Sequence, residues 1–587
     1  MIRKKRVLFI AIFFIFILCG FMTRLADIQL LHTDNFSERG INLIEESVKQ
    51  RTQEVVIDDG RGRFIDRNNI PLSESAEPTV VLFPFLKNED WPVRELSNII
   101  KISEFTIKKR LEKANKPLIL TTSDGLDLSE RDLKEINNLS IPGVFGIYKQ
   151  VPLQERTAEH IIGITGENYE RLKKIYPDRT DLSYNTKIGV TGLERAFDEF
   201  LLPDAETKLL YHVDGTGNPL FGVNVKYIAD ANPFYPVSVQ TTIDRQVQLA
   251  AEEITEKRKL EKGGLVLIDI KTNEIISMVS KPAFDRTERS TYTNYMLQPL
   301  FPGSTFKTVI SAAAIEYGLD DVSRQFNCNL NLYGKEDGKQ KDGVLNLERS
   351  FAKSCNYTFT TLANELMKKN DRVIEETAQK LGLIDRVGWN GEVFHYDEFK
   401  QLPEEKPGNI WVDEKDKNIK KAIDQTAIGQ KDVKVTPLAV ANMMATIARD
   451  GKKEQVKIVK NILYKNGTNM FTFSSNPIEG ENIKKYTAKK LQKLLRGVVT
   501  DEEGTGRRFQ TSSYEVSGKS GTAQTGHKDE NGKPLYNKWF AGYFPAKNPK
   551  YALAVVEMDT KSEDAATNGV FYELIETLYE LDNIETR

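Results

Sequence analysis

The stretch from Val7 to Met22 is uninterrupted by charge and follows directly on Arg3-Lys4-Lys5-Arg6. This constrains the fold before anything else does, because a soluble core does not place a charge-free run beside a basic cluster. The run is slightly short of the ~20 apolar residues of a spanning helix, and Thr23 with a snorkelling Arg24 completes the span. Cytoplasmic retention of the basic cluster then leaves everything after about residue 25 outside the membrane. A cleaved signal peptide would want small residues at the cut, which Phe21-Met22-Thr23-Arg24 does not offer. Lipoprotein attachment at Cys19 would want a small residue before it, and Leu18 is not small. The expectation is an uncleaved single-pass anchor over residues 1–25, in the cell membrane with the N-terminus cytoplasmic.

A chain of 587 residues exceeds one hydrophobic core, so more than one domain follows the anchor. Its net charge of −2 gives no reason to expect nucleic acid or another polyanion as partner. Beyond Cys19 only Cys328 and Cys355 remain, too few for a disulfide framework, and the sequence leaves open whether these two pair.

Residues 26–240 read as a first extracytoplasmic region, mixing strand-like Thr79–Phe83 with the polar helical stretch Ser129–Asn137. Gly60–Asn68 reads as a turn feeding a short strand, and Gly189–Gly192 as a turn before a helix over Leu193–Phe200. After Pro233–Val237 the texture changes to a strand, Val239–Asp244, running into a helix over Arg245–Lys257, which places a domain boundary near residue 240. Gly264–Asp269 and Glu274–Val279 form a hairpin, and Tyr514–Gly518, Trp539–Phe544 and Tyr551–Glu557 add three strands before a helix over Val570–Leu581. Strands at both ends around a helical middle imply an α+β domain, 241–587, whose sheet brings its ends together. The charged stretch Lys400–Lys421 reads as a solvated loop or helix face.

Three motifs in order carry the chemistry: Ser304-Thr-Phe-Lys307, Ser354-Cys355-Asn356 and Lys519-Ser520-Gly521-Thr522. S-x-x-K, S-x-N and K-[ST]-G together build a serine acyl-transfer site without histidine. Each alone is weak. S-x-x-K recurs at Ser350/Lys353, and S-x-N at Ser183/Asn185 and Ser474/Asn476. Pro302-Gly303 marks a helix start, so Ser304 stands at the N-terminus of a buried helix over Thr305–Tyr317, with Lys307 one turn along. Burial lowers a lysine's pKa until its neutral amine serves as base for Ser304. Ser354 is placed to relay a proton to the leaving group and Asn356 to bond a substrate amide, although a helix cap explains the pair equally well. Lys519 adds positive charge, and Ser520 and Thr522 are suited to a substrate carboxylate. The glycines of this strand, Gly521 included, suit close approach of a ligand backbone. The N–H groups of Ser304 and Thr522 make an oxyanion hole worth roughly 3–4 kcal/mol per donor. No metal or cofactor is expected.

These motifs resemble those of penicillin-binding transpeptidases and serine β-lactamases, and nearly the whole chain is similar to the class B, monofunctional penicillin-binding proteins. Arg61–Asn68, His160-Ile-Ile-Gly163 and Gly192-Leu193-Glu194 resemble that class's pedestal (dimerisation-domain) signatures. Thr241–Asp244, Gly429-Gln430, Thr436-Pro437-Leu438 and Trp539–Tyr543 resemble marks of its catalytic domain. Cys355 departs from the serine frequent at that position. The resemblance implies an elongated mixed pedestal and a transpeptidase domain with a five-stranded antiparallel sheet flanked by helices. It implies a D,D-transpeptidase that cross-links peptidoglycan stem peptides ending in D-Ala-D-Ala through an acyl-enzyme on Ser304, and that β-lactams acylate. A glycosyltransferase partner in a wall-synthesis complex is implied as well, since the stretch before residue 60 is too short for such a domain of its own. A carboxypeptidase or β-lactamase-type hydrolase and a non-catalytic penicillin-binding scaffold are the alternatives. The intact motifs argue against the scaffold, and the anchor and pedestal against a free β-lactamase.

Overall fold

The computed structural model describes residues 2–33, 51–179, 181–214, 224–229, 232–336, 341–561 and 565–585, together with Leu43, Ser47, Leu220 and Gly338. A helix over Ile2–Ala26 continues through a π-turn, Asp27–Leu31, and the most apolar stretch of the span Lys4–Leu31 is not buried in the protein. Its 28 residues rise ~42 Å, enough to cross a hydrocarbon core of about 30 Å.

The region that follows this helix holds a strand Glu74–Leu82 between Leu118–Leu120 and Val144–Pro152, all antiparallel. The helix Glu130–Asn138 starts where Ser129 and Asp132 exchange side-chain and backbone hydrogen bonds, a capping box. A second sheet pairs Thr52–Asp58 with Thr207–His212 and then Lys226–Ile228. Val80, Phe83, Phe85 and Tyr211 lie in the apolar core that these two sheets share.

Gly60–Asn68 does supply a turn and a short strand, Arg63–Ile65, but that strand runs parallel to Ser238–Thr241. Phe64, Leu193, Phe197 and Leu201 therefore belong to the same apolar core as Phe306 and Val309 of the catalytic domain. Arg61 is buried against Glu194 at 2.6 Å and Asp198 at 2.8 Å, which ties two of the pedestal signatures into one ion cluster. The helix expected over Leu193–Phe200 is split into Gly192–Ala196 and Asp198–Leu201. The break at Phe197 turns Asp198 back so that it accepts both from Arg61 and from the Gly189 N–H.

In the catalytic domain, β1 (Gly263–Asp269), β2 (Glu274–Lys281), β3 (Ser517–Lys528), β4 (Pro534–Phe544) and β5 (Tyr551–Thr560) form one antiparallel sheet in the order β2-β1-β5-β4-β3. The apolar run in β1 is continuous because both faces are covered. Leu265 and Leu267 meet Phe571 on one side, while Val266 and Ile268 join the helical core on the other. The helices Arg245–Lys257 and Thr567–Glu585 lie on the first face. Pro437–Ala448 lies on the second, with Pro437 at its first position and Thr436 capping it by accepting from the Ala439 N–H. β3 begins at Ser517 rather than Tyr514, so Lys519–Thr522 lies within a strand at the sheet's edge.

One expectation changes in part, and one question the sequence left open is answered. Within Lys400–Lys421, Gln401, Leu402, Glu405, Ile410, Trp411 and Lys417 are buried while Lys406, Pro407, residues 412–415 and residues 418–421 are exposed, so the segment is only partly solvated. Glu405 explains part of this, accepting from the Val387 and Gly388 N–H groups in place of water. And Cys328 and Cys355 are paired, their Cα atoms 5.8 Å apart.

Candidate active site

Ser304 lies in a 3-10 turn, Gly303–Phe306, that hands over to the α-helix Lys307–Glu316, so the regular helix starts at Lys307, later than expected. The turn opens on a position that requires glycine. Gly303 adopts φ +55°, and a Cβ there would come within 2.3 Å of the Thr522 carbonyl oxygen. The Gly303 N–H donates to Gly429 O at 3.0 Å, which places Gly429-Gln430 against the turn. Gly521 is likewise crowded, but by Pro302 O, 2.6 Å from where its Cβ would be. The glycine expected to admit a ligand backbone thus admits the protein's own chain, and β3 closes onto the Ser304 turn. Trp539 fixes the same junction by donating to Phe301 O at 2.9 Å.

Lys307 has no exposed surface. Its Nζ is 2.6 Å from Ser354 O, 2.7 Å from Asn356 Oδ1 and 3.0 Å from Ser354 Oγ. Desolvation, and then repulsion from Lys519, hold its pKa well below the ordinary lysine value. A neutral amine has two N–H donors, which the carbonyl and amide oxygens take. The Ser354 hydroxyl is left to face the lone pair.

Ser354 is not a helix cap. The helix Asn356–Lys369 has Cys355 at its cap position with no side-chain bond, and Ser354 is held at φ +62°, an unusual conformation for a residue with a Cβ. That conformation turns the hydroxyl toward Lys519, whose Nζ donates to it at 3.1 Å and to Ser520 O at 3.0 Å. Lys519 is fully buried, and desolvation pulls its pKa down to about 7. The structure thus brings Lys307, Ser354, Asn356 and Lys519 into one hydrogen-bonded cluster, with Ser304 one turn from Lys307 and β3 alongside.

The second S-x-x-K is occupied elsewhere. Ser350 is buried and accepts from Thr358 at 2.8 Å, while Lys353 pairs with Asp342 at 3.0 Å and Glu503 at 3.1 Å. The sequence reading missed Thr505. Its hydroxyl accepts from Ser520 at 2.8 Å and donates to Ala352 O at 3.3 Å, linking β3 to the turn before Ser354. Its signal was Gly504-Thr505-Gly506, a small-residue turn at a close crossing.

Comparisons with known proteins identify the family. The family model for the penicillin binding protein transpeptidase domain matches residues 263–576, and that for the penicillin-binding protein dimerisation domain matches residues 56–230. The chain belongs to the class B penicillin-binding proteins. Its relatives include the peptidoglycan D,D-transpeptidase MrdA of Acinetobacter baumannii, 25% identical over 94% of this chain and 84% of that one. Stage V sporulation protein D of Bacillus subtilis is 24% identical over 94% of this chain and 81% of that one. The peptidoglycan D,D-transpeptidase PbpA of Mycolicibacterium smegmatis is 27% identical over 68% and 82%. Among solved structures, a chain described under "Structural coordination of polymerization and crosslinking by a peptidoglycan synthase complex" shares the fold with a TM-score of 0.64 at 20% identity, covering 97% of each chain.

Proposed function

We propose that this penicillin-binding protein is a membrane-anchored peptidoglycan D,D-transpeptidase whose nucleophile is Ser304. The observation that carries the assignment is the desolvated Lys307 amine, bonded to Ser354 and Asn356 and placed one turn from Ser304. In the first half-reaction Ser304 Oγ attacks the carbonyl of the penultimate D-alanine, and its proton passes to the neutral Lys307 amine. The N–H groups of Ser304 and Thr522 hold the oxyanion. The C–N bond then breaks, and Ser354, between Lys307 and Lys519, delivers the proton to the departing D-alanine nitrogen. In the second half-reaction an amine on a neighbouring stem attacks the ester and gives its proton to the same relay. Ser304 leaves reprotonated. Asn356 positions the donor peptide's amide; Ser520, Gly521 and Thr522 on β3 bind its C-terminal end.

In this reading the chain divides into the anchor 1–25, the pedestal 26–240 and the transpeptidase domain 241–587. Arg3-Lys4-Lys5-Arg6 keeps the N-terminus cytoplasmic and the catalytic domain acts outside. A glycan-polymerising glycosyltransferase is the partner that supplies its substrate. The description of the fold's structural neighbour, a peptidoglycan synthase complex, supports that pairing.

The test is D-alanine release by full-length protein in detergent from a pentapeptide ending in D-Ala-D-Ala, with glycine or a D-amino acid as acceptor. Exchange products that depend on Ser304 are expected. Release with water as the sole acceptor would make the protein a carboxypeptidase instead.

A further inference from the structure

A cavity of about 180 Å³ lies where residues 156–160 of the dimerisation domain meet residues 278–284, the end of β2 and the chain that leaves it. That volume is the share of about six waters. β2 is the sheet's outer strand, at the opposite edge from β3. At Met278 its outward backbone groups are covered, because Gln248 accepts from the N–H at 2.9 Å and donates to the carbonyl at 3.0 Å. Outward groups recur every second residue of an antiparallel strand, so the next pair belongs to Ser280, which lines the cavity. Among the described residues no helix or loop backbone covers that pair. Lys281, 10% exposed in its side chain, gives one N–H to Glu256 at 2.5 Å and keeps two donors. The cavity's own carboxylates are already engaged. Glu252 accepts from the Thr157 hydroxyl at 3.0 Å, the Ala158 N–H at 2.9 Å and Gln248 at 2.8 Å. Glu159 faces Arg286 at 3.2 Å and Arg156 at 3.8 Å. The remaining wall is aromatic and braced: Phe284 stacks on Tyr292 at 4.8 Å and meets the His160 ring edge-on at 5.2 Å.

We propose that this interdomain cavity is a second binding site, separate from the Ser304 cleft, for a small N-acyl amino acid. The ligand's N–H and carboxylate flank one carbon, so they pair with the Ser280 carbonyl and N–H as the next strand of an antiparallel sheet would. The second carboxylate oxygen takes the free donors of Lys281, with Arg156 at the mouth, which makes that bond charge-assisted. The acyl group packs against Phe284. An uncharged amide N–H is tolerated beside the Lys281 ammonium where a free amino group, itself an ammonium, is repelled, so the site selects the acylated form. One wall comes from each domain, so a bound ligand holds the two together and raises the melting temperature with its concentration. The site does not depend on which serine is the nucleophile.

Equilibrium dialysis of full-length protein in detergent against radiolabelled N-acetylglycine tests this, before and after the protein is saturated with benzylpenicillin. Binding of about one equivalent per chain is expected in both states. Lys281→Met, and Arg156→Gln at a side chain 35% exposed, should each weaken binding about tenfold, with melting temperature and penicillin labelling as checks on the fold. N-acetylglycinamide, free glycine and acetate should each compete at least about tenfold less well than N-acetylglycine. No binding, or binding unchanged in both variants, overturns the site. Binding lost after benzylpenicillin treatment places the ligand in the Ser304 cleft and overturns it as well. Equal competition by acetate or by glycine overturns the assignment of the acylated amino acid.

Discussion

Ser354 Oγ lies 3.0 Å from Lys307 Nζ and 3.1 Å from Lys519 Nζ, so one hydroxyl bridges two buried lysines. Two ammonium ions that close would repel, and desolvation opposes both charges, so both pKa values are lowered and the neutral amine is favoured at one of the two. The hydroxyl then accepts from whichever lysine holds a proton and donates to the one that does not. In the proposed mechanism this keeps a base ready one turn from Ser304 without a histidine.

Acylation should therefore depend on pH with two limbs. Lys307 must be neutral to take the Ser304 proton, so the rate falls as pH drops through its lowered pKa. Lys519 loses its proton around pH 7, which removes positive charge from the site and lowers the rate above that pH in the free enzyme. Stopped-flow acylation by a chromogenic cephalosporin should give a bell. Lys519→Arg should shift its alkaline limb upward, and Lys307→Met should slow acylation on the order of 10²–10⁴-fold at every pH.

The penicilloyl enzyme should persist. Among the described residues the hydrogen-bond partners of Lys307, Ser354 and Lys519 are hydroxyl, amide and carbonyl oxygens, with no carboxylate to activate water against the ester. Turnover of the cephalosporin should be slower than about one per minute, a barrier near 20 kcal/mol. Many equivalents hydrolysed per second by purified protein would make it a hydrolase.

Arg61→Met should destabilise the protein by about 3–5 kcal/mol, because it strands Glu194 and Asp198 in the core. Chemical denaturation should show the loss. Double replacement Glu194→Gln with Asp198→Asn in the Arg61→Met background should recover part of it.

His160 Nε2 donates to the Thr291 carbonyl oxygen at 2.9 Å, so that nitrogen carries the proton. Desolvation lowers its pKa to about 4. The unfolded chain takes up this proton below pH 6.5, while the folded one resists until about pH 4, so stability falls as pH falls through that window. The melting temperature of His160→Gln should decline less between pH 6.5 and 4 than that of wild type. Parallel declines would contradict the buried neutral ring.

The anchor, the five strands and the three motifs were legible because each is written in a contiguous stretch whose period or residue types suffice. What the sequence did not show depends on pairs distant along the chain. Ser354 looked like a cap because S-x-N before a helix is one, and only the left-handed turn after Ala352 redirects it. Thr505 joins the cluster through a chain crossing, which no local pattern encodes. Gly521 was read as making room for a ligand, yet its space is filled by Pro302 O, since absence of a side chain does not say what approaches. Cys328 and Cys355 are 27 residues apart, and their pairing follows from the packing of the strand Phe326–Asn327 beside the helix Asn356–Lys369.

The choice of nucleophile is the central claim, and peptide mapping by mass spectrometry after benzylpenicillin treatment tests it most directly. The penicilloyl adduct should fall on the peptide containing Ser304, vanish in Ser304→Ala and remain in Ser350→Ala, whose hydroxyl is buried against Thr358. An adduct on Ser350, or one that survives in Ser304→Ala, would contradict the account.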